Sequence, residues 1–198
     1  MDESVSEDIM CATHRALCEH GYAALTMQDI ADESSKSKAS LHYHYDTKRD
    51  LLLAFLDNLG ERMTERLAAV DGETPTDEFL ALLEELLSPS TERYPEFHTA
   101  LLEIKAQAPY VDGFRERIAD IDALVHERLR AVVAAGVEAG EFRADLDPEE
   151  TATFVLTLLN GVRTRHVAVG GSPDDVEGTL LRYVEDQVVA AEAEAPVE

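Results

Sequence analysis

Apolar residues recur along this chain at every third or fourth position, the spacing of one helical face. Ile9, Ala12, Thr13, Ala16 and Leu17 predict a helix over about 5–20. Gly21 ends it, as a residue able to take left-handed backbone. A short helix follows over about 27–33, with Thr26 as N-cap, Asp29 three residues later, and Ile30 and Ala31 facing inward. SSKS at 34–37 interrupts the pattern, and a second short helix runs over about 38–44. Lys48 opens a long helix to about 70, apolar along Leu51, Leu52, Phe55, Leu59, Met63 and Leu67. After the linker DGETPT at 71–76, helices are expected over about 76–87, 92–107, 113–139, 148–168 and 173–190. Asp147, Pro148 and Glu150 form a start signal for the penultimate one, which stops at Gly170-Gly171; Ser172, Pro173 and Asp175 repeat that signal for the last. No alternating strand pattern stands out, so the fold class is all-α, with about nine helices.

The last two helices are apolar on more than one face. Phe154, Val155, Leu158, Leu159 and Val162 in one, and Val176, Leu180, Leu181, Val184 and Val188 in the other, exceed what one stripe needs. Deep burial within one subunit would explain this. So would an interface in which the two helices meet their two-fold copies as a four-helix bundle. The interface is the favoured expectation, because terminal helices of a small domain are otherwise half exposed.

Charge changes the picture at one place. The 198-residue chain has 17 Lys plus Arg against 41 Asp plus Glu, a formal net charge of -24. The acidity is spread along the chain and lysine is scarce, a composition that suits concentrated salt. Three of the four lysines, Lys36, Lys38 and Lys48, lie in SKSKASLHYHYDTKRD at 35–50. Over 34–49, four cations face one carboxylate, giving +3 against -27 elsewhere. Acidic proteins are repelled by nucleic acid, so a local reversal of sign marks where contact would occur. Cys11 and Cys18 lie about 10 Å apart along one helix, too far for a bridge within it. The N-terminus lacks a basic and apolar leader, and no run of 18 apolar residues exists, so a cytoplasmic protein without a membrane segment is expected.

Two short helices with a four-residue break, after a supporting helix, describe a helix-turn-helix. Its second helix, here the one after Ser37, lies in the major groove. Lysine and serine reach phosphates or base edges, and small Ala39 permits close approach. The free N–H groups where Lys48 opens a helix suit a phosphate. A plainer reading makes KSK a solvated turn and HYHY half core; Leu41 and Tyr45, four apart, are expected to face inward in either case.

Gly21-Tyr22, Thr26, Ile30-Ala31, Ser37, Leu41-His42-Tyr43-His44-Tyr45 and Lys48-Arg49-Asp50-Leu51 together resemble the N-terminal pattern of TetR/AcrR transcriptional regulators. The likeness covers about 9–56 and is specific as a set. GEFRADLDPEE at 140–150 is similar to that family's join before its penultimate helix. Ser35 stands where the family usually has a turn glycine, Lys36 where it has an apolar residue, and His42 where tyrosine is common. The resemblance implies a three-helix helix-turn-helix DNA-binding domain over 1–50 and a regulatory bundle for ligand binding and dimerisation over 51–198. It implies that Thr26, His42, Tyr43, His44 and Lys48 contact phosphates and that Ser37, Lys38, Ala39 and Ser40 face base edges, with Lys36 beside them. The partners would be double-stranded DNA with a palindromic operator, a second copy of the chain through its last two helices, and a small-molecule effector. Candidate effector contacts are Tyr94, Phe97, His98, Leu101, Gln107, Tyr110, Phe114, Asn160, Arg163 and His166; several of these are equally explained as core. No cofactor or metal is expected.

A helical-bundle enzyme is the rival of a different class. Di-metal bundles need Glu-x-x-His sets, and none occurs. There is no Gly-rich phosphate loop and no Ser-His or Cys-His arrangement of recognisable spacing. A DNA-binding regulator without a small-molecule ligand is a second rival.

Overall fold

The structure, a computed structural model, describes residues 3–87, 94–171, 174–183 and 188–189. Nine helices occur among them: α1 Glu3–Ala24, α2 Met27–Glu33, α3 Lys38–His44, α4 Lys48–Ala69, α5 Pro75–Leu87, α6 Tyr94–Gln107, α7 Phe114–Ala139, α8 Pro148–Val169 and α9 Asp174–Tyr183. α1 is broken at Gly21, whose φ of 68° and ψ of 170° lie where an L side chain is strained. Thr26 caps α2 in a reciprocal box: its hydroxyl accepts from the Asp29 N–H at 3.2 Å, and Asp29 Oδ2 accepts from the Thr26 N–H at 2.8 Å. Thr47 and Asp50 form the same box at the start of α4. Asp147 caps α8 through the N–H groups of Glu149 and Glu150, and Gly170 closes it in left-handed backbone.

The chain packs as two compact units. Unit one is Met1–Thr64 with Pro89–Asp122; unit two is Glu65–Ser88 with Ala123–Glu198. These units follow packing and cross-cut the division expected at residue 50, because α6 packs on α1.

The core of unit one joins Ile9, Ala12, Ala16 and Leu17 of α1, Ile30 of α2, Leu41 of α3, and Leu51, Leu52, Phe55 and Leu56 of α4 to Ala100 and Ile104 of α6 and Phe114 of α7. Thr13, wholly buried among them, returns its hydroxyl to the Ile9 carbonyl at 2.8 Å. Its polarity is thus met within the helix.

Unit two buries Phe79, Leu82, Leu83 and Leu86 of α5, Leu129, Val132 and Val133 of α7, Phe142, and Val155 and Leu159 of α8. Arg128 of α7 ties the ends of neighbouring elements together. It donates to the carbonyls of Leu67 in the last turn of α4 and Val70 just after it, and pairs with Glu78 of α5.

α9 is described over Asp174–Tyr183, and the stretch 184–187, where the expected helix would continue, lies outside the described residues; Val189 forms an isolated antiparallel bridge with Phe142, and the Val188 carbonyl accepts from the Arg143 N–H at 3.0 Å. The apolar excess of the last helices divides. Val155, Leu159, Val162, Leu180 and Val188 are buried within the chain's own core, whereas Phe154 is 47% exposed and Leu158 half-buried. Those five buried side chains close unit two. Val176 is half-buried, and the side chains of Leu181 and Val184 lie outside the described residues, as do the start signals Ser172, Pro173 and Asp175 and the tail. No helix among the described residues is long and apolar enough to cross a membrane.

Candidate nucleic-acid interface

α3 is seven residues long, and Leu41 is its one buried residue. Tyr45, the C-cap, is buried directly after it. The face opposite Leu41 is solvent. Ser37, Lys38, Ala39, His42 and Tyr43 are exposed, while Ser40 and His44 are half-buried. Tyr43 is 85% exposed and its ring meets His44 edge-on at 5.0 Å, which props a phenol outward with its hydroxyl ready to donate. Ser37 caps α3 by accepting from the Ser40 N–H at 3.2 Å, leaving its own hydroxyl proton for another acceptor.

The turn before α3 needs no glycine. Among the described residues no non-glycine position has positive φ, so Ser35 adopts ordinary backbone. Lys36 is half-buried beside Asp8 of α1.

Lys48 is placed differently from a free phosphate ligand. Its ammonium donates to the carbonyls of Tyr22 at 3.1 Å and Leu25 at 2.8 Å, and lies 4.9 Å from the centre of the Tyr22 ring. It thus caps the broken end of α1, where carbonyls have lost their helical partners. Burial lowers its pKa from the usual lysine value, with Asp29 opposing that effect. From the other side, Glu103 of α6 accepts the Tyr22 N–H at 2.6 Å. Thr26 likewise donates its hydroxyl to Asp29 at 2.7 Å, and this bond is the largest cause of the lowered Asp29 pKa. Both side chains carry structural bonds in addition to the phosphate role expected of them. Lys48→Met is expected to destabilise unit one by about 1–2 kcal/mol, because two carbonyls lose a charged donor; urea unfolding measures it, and no shift of the midpoint would show that the carbonyls do not need the ammonium.

With Lys48 turned inward, the exposed cations of this face are Lys38 and Arg49. Arg49 was missed as a candidate because the Lys-x-x-Leu pattern points to its neighbour. Its membership of the same cationic run was the available signal.

The candidate effector residues fall in both units. In unit one, Phe114 is wholly buried and meets Tyr22 edge-on at 6.1 Å, which makes it core. Phe97 packs on His14 at 4.6 Å and on Phe55 at 6.5 Å, and Leu101 packs against the same core. His98 and Gln107 are half-buried, and Tyr110 is 82% exposed. The side chain of Tyr94 lies outside the described residues. In unit two, Arg163 donates to the Leu86 carbonyl at the end of α5 at 2.8 Å. His166 Nδ1 bonds the Gly171 carbonyl at 2.8 Å, and the Asn160 carbonyl accepts from Thr164. Arg163 and His166 therefore bond backbone at element ends. Their polar stripe has a packing explanation.

Comparison with known proteins agrees with this geometry. Residues 9–55 match the family described as bacterial regulatory proteins, tetR family, and residues 75–189 match the C-terminal region of BetI-type transcriptional repressors. The HTH-type transcriptional repressor AcnR of Corynebacterium glutamicum is 29% identical over 184 residues, spanning 89% of this chain and 92% of that protein. A TetR transcription regulator from Haloarcula marismortui superposes with a TM-score of 0.86 at 41% identity, covering 93% of this chain and 98% of that one. A protein from Saccharomonospora viridis, described as a transcriptional regulator in complex with choline, has the same fold, with a TM-score of 0.84 at 23% identity over 96% of this chain and 100% of its own. An outward recognition helix on a buried anchor, joined to a C-terminal helical region of repressor type, makes this chain a DNA-binding transcriptional regulator, not an enzyme, and a member of the TetR family.

Proposed function

We propose that the chain is a cytoplasmic repressor that binds a palindromic operator as a homodimer and leaves it when a small molecule binds the C-terminal region. The observation that carries the reading is α3, which turns Lys38, Ala39, His42 and Tyr43 to solvent while Leu41 holds it to the core. Two such helices related by a two-fold axis read half-sites about 34–36 Å apart. The exposed ring of Phe154, packed on Tyr183 at 5.1 Å, supports an apolar subunit contact on α8 and α9. Effector control is supported by the BetI-type match and by the choline-bound relative. Selection of bound duplexes from random sequence at high salt tests the reading. A two-fold palindrome is the expected product, and no enrichment would overturn the proposal.

The composition further supports an origin in concentrated salt. The melting temperature is expected to climb steeply with KCl, and operator affinity to fall less with salt than counterion release alone predicts, since direct base contacts carry more of it. A flat melting response would remove the halophilic reading and leave the DNA-binding one intact.

A further inference from the structure

Ser35 and Lys36 lie in the turn between α2 and α3, which has neither a glycine nor a large apolar side chain to fix it. Something else must hold that turn. Asp8, more than 25 residues earlier on α1, reaches it with one oxygen. Asp8 Oδ2 accepts from the Ser34 hydroxyl at 2.7 Å, the Ser35 N–H at 3.1 Å and the Ser35 hydroxyl at 2.9 Å. The Ser34 hydroxyl oxygen in turn accepts from the Lys36 N–H at 3.0 Å. Residues 34 to 36 are thus tied, directly or through one hydroxyl, to a single carboxylate. The Ser34 bond holds the Asp8 pKa below the usual carboxylate value against the opposing effect of burial, and the Ser35 bonds and the nearby Lys36 charge add to it. Two turns further along α1, Arg15 grips both the side chain and the carbonyl of Glu33, the last residue of α2.

α3 starts two residues after this clamp, at Lys38, and has one buried residue of its own. A short element with one anchor can pivot about it. The clamp removes that freedom at the end where Lys38, Ala39 and Ser40 sit. We propose that Asp8 is a positioning residue for DNA recognition, which fixes the angle at which the N-terminal end of α3 meets base edges. The proposal rests on the DNA-binding reading of this chain. Phosphate contacts tolerate a small rotation of α3, whereas bidentate base contacts do not. Loss of the clamp therefore lowers discrimination and leaves general affinity in place.

The test compares full-length wild type, Asp8→Ala, Asp8→Asn and Ser34→Ala/Ser35→Gly on two duplexes at one salt concentration: the sequence that wild type enriches, and a scrambled version. Asp8→Ala should lower the ratio of the two affinities about tenfold, with scrambled-duplex binding within about twofold of wild type. Asp8→Asn keeps an acceptor oxygen and should recover much of the ratio. The serine pair should lose as much as Asp8→Ala, and combining them should add nothing, as expected of one coupled unit. An unchanged ratio in both Asp8→Ala and the serine pair overturns the proposal, and so does an equal loss on both duplexes, which would mark a purely structural role. A wild type without any sequence preference overturns the DNA-binding reading and this proposal with it.

Discussion

Leu41→Ala should weaken operator binding by about 30-fold or more. A seven-residue helix has no stability of its own in water, since nucleation costs more than so few hydrogen bonds return. α3 persists because Leu41 is wholly buried in the core of unit one and Tyr45 follows it inward. Truncating a buried leucine costs about 2–5 kcal/mol. Here nearly all of that loss falls on one element, the one that would enter the major groove. Each 1.4 kcal/mol that detaches α3 reduces affinity about tenfold. Fluorescence anisotropy on the selected operator measures the effect, and far-UV circular dichroism shows whether the other helices remain. An affinity within threefold of wild type would mean that α3 is held by contacts other than Leu41.

Phe142→Ala should destabilise unit two by about 3–5 kcal/mol. The ring is 1% exposed and meets Phe79 edge-on at 5.7 Å. Its backbone N–H donates to the Gly136 carbonyl at 3.0 Å, and it pairs with Val189. A Cβ at Gly136 would land on the Phe142 ring, so glycine at 136 and phenylalanine at 142 specify each other. Gly136→Ala alone should cost about 1–3 kcal/mol through overpacking. The double variant is the discriminating measurement. Its methyl enters space that the lost ring has vacated, so the pair should cost clearly less than the sum of the single changes. Urea unfolding of the three variants decides this, and strict additivity would show that ring and glycine are not in contact.

Signals that act within four residues could be read without a structure. Gly21 as a break, Thr26 with Asp29, Asp147 with Pro148, and Gly170 as a cap are all local backbone chemistry, and each is where the sequence places it. Leu41 and Tyr45 were also readable, because helical spacing reports which side of a short element is apolar. Periodicity reports faces and says nothing of partners. It could not show that Lys48 is committed to the carbonyls of Tyr22 and Leu25, or that Arg163 reaches the end of α5, because those partners are 23 or more residues away. The same limit applies to α8 and α9. A helix apolar all round looks alike whether its second face meets another subunit or its own chain, and Val155, Leu159 and Leu180 meet their own chain. The partners of Val188 and Val189, Arg143 and Phe142, lie more than 40 residues earlier and were out of reach of the same local signals.

The closing of the α1 core by α6 and Phe114 sets an order of events on the ribosome. α1 to α3 and the first part of α4 leave the ribosome as a set of helices with an unfinished core, since Ala100, Ile104, Phe114 and the Glu103 carboxylate that holds the Tyr22 N–H come later in the chain. At about 5–20 residues per second, the 50 residues between Thr64 and Phe114 take roughly 3–10 seconds to synthesise. Through that interval the apolar faces of Ile9, Leu17 and Leu52 have no lid. A nascent chain stopped near residue 64 should therefore be degraded readily by protease, and one stopped after α7 has cleared the exit tunnel should resist. The DNA-binding half becomes competent only once the chain has begun to build the other half.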